Sequence, residues 1–137
     1  MSQVDRRFTL LSVDELGDDL DRCQTEDSYA YPRILVFLQE LDGNSGLCER
    51  LIDERYSDHE VQDISPFWHL QDEGLNVFRL KLVDVGAWRL ITAGDRRSRT
   101  VAVLGLMRRD QDYENDPQFV ARLKESYDKL GFGLWGR

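Results

Sequence analysis

The chain is 137 residues long, with 41% hydrophobic and 32% charged residues, which suits one globular domain and excludes both a multidomain protein and a disordered one. Its 26 acidic against 18 basic side chains give a net charge of -8, and a whole molecule of that sign does not hold nucleic acid by nonspecific attraction to phosphate. The charge is uneven, however: residues 1–74 hold 18 acidic and 6 basic side chains, whereas residues 75–110 hold 3 and 8, so a cationic patch can form on an otherwise acidic surface.

Phe8 to Leu11 is apolar and short, as an opening strand would be. Ser12 with Glu15 fits a capping box, and Val13, Leu16, Leu20 and Cys23 recur at helical spacing, predicting a helix over about residues 12–24. Asp14, Glu15, Asp18, Asp19 and Asp21 then form its solvated face. Pro32 suits the first turn of a second helix with the stripe Ile34, Leu35, Leu38 and Leu41, broken at Asp42-Gly43-Asn44. Ser45 restarts a helix whose Leu47, Cys48, Leu51 and Ile52 face one way, giving an antiparallel helical hairpin and a helical part over about residues 12–56.

From Ile64 onward β-branched and aromatic residues become common. Asn76 to Leu82 alternates, with Phe78, Leu80 and Leu82 on a buried face and Val77, Arg79 and Lys81 on the other. Trp88 to Thr92 is the next strand, Gly94 to Arg97 a polar turn, and Thr100 to Met107 is apolar throughout, as a central strand covered on both faces would be. Asp116 caps a last helix with Pro117 in its first turn and Gly131 at its end. The predicted class is therefore α+β: N-terminal helices packed on a small antiparallel meander over about residues 75–107, then a C-terminal helix over about residues 116–130.

Cys23 and Cys48 are too few for a disulfide framework and lack metal-ligand spacing, so both are expected as buried thiols, with no metal and no cofactor. The N-terminus lacks the apolar core of a signal peptide and no run reaches the length of a membrane span, which makes a soluble, cytoplasmic protein without membrane contact the expectation.

Chemistry is expected on the meander's open face. Alternate residues of a strand share a face and neighbouring strands lie about 4.8 Å apart, so Arg79, Lys81 and Arg89 can converge, with Arg108, Arg109 and Tyr113 following the apolar strand. Arg96 and Arg97 add charge at the turn. Such cations beside a phenol can hold an RNA backbone and cut it without a metal. A base takes the 2′-hydroxyl proton, arginine stabilises the phosphorane, and an acid protonates the leaving oxygen. His69, just before the meander, is a further proton carrier. The plain alternative is that alternating Arg and Lys are only the wet face of a strand.

The stretches Asn76 to Lys81, Ala87-Trp88-Arg89-Leu90-Ile91 and Thr100 to Arg109, followed by Asp116-Pro117-Gln118-Phe119-Val120-Ala121-Arg122, resemble the RelE/ParE toxin superfamily, especially its HigB-like branch, over about Leu75 to Leu123. The upstream helix pair fits that family's order of elements. The resemblance implies the toxin of a toxin–antitoxin pair, a ribosome-dependent endoribonuclease whose partners are ribosome-bound mRNA and a cognate antitoxin. Arg79, Arg89, Arg108 and Arg109 match the motif's basic positions. Tyr113 or His69 would handle a proton, and Lys81, Arg96, Arg97 and Arg109 would hold RNA. Two other functions fit the same residues: a noncatalytic binding module on this fold, and a ParE-like inhibitor directed at gyrase.

Overall fold

The computed structural model describes residues 7–111 and 116–134. Over those residues it is an α+β fold of five strands and five α-helices, in which a mixed sheet with the order β1-β5-β4-β3-β2 lies between two helical layers. Among the described residues, no helix is long and apolar enough to cross a membrane.

Strand β1 (Thr9–Ser12) runs parallel to the first half of β5 (Thr100–Arg108), with Thr9 opposite Thr100 and Ser12 opposite Val103. Helix α1 (Asp14–Glu26) follows at once, and Asp14 and Glu15 in its first turn suit the positive end of the helix dipole. The expected capping box does not form. Val13 occupies the cap in an extended conformation, with no side-chain bond, because Ser12 is still paired in β1. Asp27 separates α1 from α2 (Ala30–Leu41): its carboxylate accepts the backbone N–H groups of Ala30 (3.0 Å) and Tyr29 (3.2 Å) and the indole N–H of Trp88 (3.0 Å). Those bonds, that from Ala30 first, hold the Asp27 carboxyl below its ordinary pKa. Gly43, at φ +76°, turns the chain into α3 (Ser45–Arg50). Asn44, rather than Ser45, caps α3 by accepting from the N–H of Leu47. The Ser45 hydroxyl instead accepts the N–H of Phe8 at 2.6 Å and ties β1 to the helices.

The meander has one strand more than the sequence predicts. Strand β2 (Val61–Pro66) pairs antiparallel with β3 (Val77–Leu82), and a register shift between Val61 and Asp63 places its two inward residues, Val61 and Ile64, three apart. A bulge of this kind erases the period of two by which a half-buried strand is recognised. Helix α4 (Trp68–Gln71), also unforeseen, follows β2. Strand β4 (Trp88–Asp95) runs three residues past the predicted end, and β5 is interior and buried on both faces, as its composition predicts. Helix α5 (Pro117–Lys129) starts where Asp116 accepts the N–H groups of Gln118 (3.0 Å) and Phe119 (3.2 Å). Gly131, at φ +76°, ends it.

The two layers make two cores. Helices α1 to α3 cover Phe78, Leu80, Trp88, Leu90, Val101 and Val103. Helices α4 and α5 cover Val77, Ile91, Ala93, Ala102 and Leu104. Val77, expected on the open face, is therefore 0% exposed. Cys23 and Cys48 are both buried, and burial pushes the Cys23 thiol up to about 11.

Because β1 pairs only with residues 100–103, no strand among the described residues lies beside the outer edge of the second half of β5. Side chains satisfy it instead. Asp19 accepts the N–H of Leu106 at 2.9 Å, Arg22 donates to the carbonyl of Leu106 at 3.1 Å, and Arg122 donates to that of Leu104 at 3.3 Å. Asp19 and Arg122 also form a two-pronged ion pair at 2.9 and 2.6 Å. Asp19 is thus 4% exposed and not part of a solvated face. Gly105 lies under this pair, where a Cβ would run into the Arg122 guanidinium and the Asp19 carboxylate.

Candidate functional site

Helix α5 leaves part of its face of the sheet uncovered, and there a depression of about 300 Å³ is lined by Arg79, Lys81, Arg89, Arg109, Gln62 and Asp63. Four of those six residues are cationic and one is a carboxylate. Strand geometry brings them together. Arg79 and Lys81 lie two apart on β3, Arg79 pairs with Ile91 of β4, and Arg89 is two residues from Ile91 on the same face. Asp63 pairs with Lys81 from the other side. Arg109 joins from beyond β5, where its backbone N–H donates to the carbonyl of Ala87 at 2.7 Å.

The four cations are not equivalent. Arg89 is 7% exposed and donates through Nη1 to the carbonyls of Gly86 (2.8 Å) and Trp88 (2.9 Å), so it clamps the β3–β4 turn as well as lining the depression. That turn contains Asp84 at φ +64° and Gly86 at the same angle. Asp84 accepts the Tyr29 hydroxyl at 2.6 Å and Arg33 Nε at 3.2 Å, fixing the turn to α2 from the other layer. Lys81 is half-buried and Arg109 exposed. Asp63 holds the Ser65 hydroxyl at 2.5 Å. The arrangement offers several cations around a volume fit for one phosphate and its neighbours, with a carboxylate at its wall.

Other expected site residues lie elsewhere. Arg108 pairs with Trp88 and shares its face of the sheet, the opposite one from Arg89. Its guanidinium sits 5.9 Å from the centre of the Trp88 ring, 3.9 Å from Glu26 and 3.3 Å from Asp110. Arg96 and Arg97 occupy the β4–β5 turn and line a separate depression. His69 is exposed on α4, past the Pro66–Phe78 pair, and does not line the basic depression. Tyr113 lies outside the described residues. Gln62 and Asp63 are the lining residues that sequence reasoning misses, because they belong to the bulged strand. Among the described residues, no group of three or more His, Cys, Asp or Glu side chains could hold a metal ion.

Comparison of the chain with protein-family models, with curated proteins and with solved structures finds no match.

Proposed function

We propose that the chain is the RelE/HigB-like toxin of a toxin–antitoxin pair, a ribosome-dependent ribonuclease that grips mRNA in the basic depression and cuts it with side chains alone. One observation supports this reading above others: Arg79, Arg89 and Arg109, three of the basic positions named by the sequence resemblance, line one depression together with Lys81. Asp63 supplies the missing base. Its carboxylate takes the 2′-hydroxyl proton, and the 2′ oxygen attacks the adjacent phosphorus. Arg79, Arg89 and Arg109 stabilise the charge on the phosphorane. Lys81 gives a proton to the departing 5′ oxygen, which leaves a cyclic phosphate on one fragment and a 5′-hydroxyl on the other. Tyr113 remains a second acid of this proposal. An acidic antitoxin segment that fills the depression would silence it.

The test is induced expression of the full chain, followed by translation rate and by mapping of mRNA ends. Translation arrest with new 5′-hydroxyl ends is the expected result. Asp63→Asn should slow cutting by about a hundredfold or more, and Arg79→Glu with Lys81→Glu should abolish it. Arg108→Ala should leave cutting intact. Unchanged growth and intact mRNA at high expression overturn the proposal. They favour a noncatalytic module whose basic depression meets an acidic protein segment, a reading the acidic front half and the clamp role of Arg89 also suit.

A further inference from the structure

Away from the basic depression, where β4 ends and β5 begins, a second depression of about 480 Å³ opens between α4, the β4–β5 turn and the segment after α5. That volume lies in the range of small-ligand sites, about 300–1,000 Å³. Its most prominent wall is the indole of Trp68, 57% exposed. The ring is not on a loose loop: Phe67 before it and Leu70 after it are fully buried in the second core. Two amides stand beside it in fixed positions, Gln71 donating to the carbonyl of Val77 at 2.9 Å and Asn76 to that of Gly94 at 3.1 Å.

Arg96 and Arg97 supply the charge. Arg96 is steered by the carbonyl of Ile52 at 3.4 Å and by Glu49 at 4.0 Å. Arg97 is anchored through its backbone N–H on Asp95 at 2.9 Å, and its guanidinium has no partner among the described residues. Two carboxylates also line the depression. That of Asp95 is engaged by the N–H groups of Arg97, Ser98 and Gly133. That of Glu54 is an acceptor suited to an exocyclic base amine. An exposed indole on a rigid turn, an unengaged guanidinium and hydrogen-bonding edges in one cavity are the parts from which nucleobase sites are made.

We infer that this depression binds a nucleotide unit, with the base stacked on Trp68 and the phosphate held by Arg97 with Arg96 beside it. The unit comes either from a free mononucleotide or from a single strand. The inference does not depend on the cleavage chemistry proposed above.

The full chain is titrated with adenosine 5′-monophosphate, with adenosine and with a ten-nucleotide single-stranded RNA; affinities of the wild type and variants are measured by calorimetry, and in the wild type the indole N–H resonance of Trp68 is followed by NMR. The expected result is a shift of that resonance on binding. Trp68→Ala should weaken affinity about tenfold or more, while Trp68→Phe should keep most of it. Arg97→Glu, in an exposed turn, should weaken the monophosphate but not adenosine. Arg79→Glu with Lys81→Glu should leave mononucleotide affinity unchanged. Binding of the monophosphate identifies a free nucleotide as sufficient, and Trp68-dependent binding of the RNA alone identifies a strand. No shift with any of the three ligands, or affinities unaltered by Trp68→Ala, overturns the inference. A chain that fails to arrest translation but keeps Trp68-dependent binding separates this result from the ribonuclease proposal.

Discussion

The same sheet carries two groups of charge that are organised in opposite ways. At the outer edge of β5, Asp19 and Arg122 face each other at 2.6 Å, and Arg22 joins them on the backbone of Leu106. Those charges are matched to one another and to the strand, so their work is to close an open edge. In the depression between β2, β3 and β4, four cations meet one carboxylate. The cations there outnumber the carboxylate and line an open depression. Charge count cannot tell these groups apart; what separates them is that one closes on a strand edge and the other lines a depression.

The sharpest way to break the contrast is to remove one partner of the edge pair. Arg122→Ala strands the buried Asp19 carboxylate and is expected to cost about 3 kcal/mol, the lower end for a broken buried pair because the Arg122 side chain keeps some exposure. In urea unfolding the midpoint should fall with the slope unchanged. Gly105→Ala pushes a methyl group into the same pair and should cost about 2 kcal/mol, within the usual range for overpacking. In the depression, Arg79→Glu with Lys81→Glu should cost about 1 kcal/mol, less than either edge change, since both positions are half-buried and Asp63 lies across from Lys81. Added inorganic phosphate should raise the unfolding midpoint of the wild-type chain more than that of this variant. A large loss of stability in the depression variant, or a negligible one in Arg122→Ala, would erase the distinction.

Much of the fold is legible in the sequence because local rules decide it. The Asp116-Pro117 start and Gly131 stop of α5 are capping chemistry, and the stripes of α1 and α2 are helical periodicity. The strand character and interior position of β5 follow from its unbroken apolar run. The misses share a cause, which is that the deciding partner is remote or the period is broken. Asp19 looks like one of five solvated carboxylates until Arg122, 103 residues away, closes on it. Val77 looks exposed until α4 and α5 supply a second layer. Strand β2 hides behind its bulge, and with it Gln62 and Asp63. The basic depression was half legible: alternation places Arg79, Lys81 and Arg89 together, and the same alternation, followed one residue further, sends Arg108 to the Trp88 side.

The parallel pairing of β1 also constrains the order in which this molecule can be assembled. Thr9 meets Thr100, so β1 has no strand partner until β5 exists. Closing a loop of that length costs entropy before its contacts return any, and topologies dominated by such closures fold slowly. Until then the bond from Phe8 to Ser45 ties β1 to structure nearer in sequence. The helices α1 to α3 can gather early around their own apolar stripes, while the edge that Asp19, Arg22 and Arg122 seal comes together only once β5 and α5 are both in place.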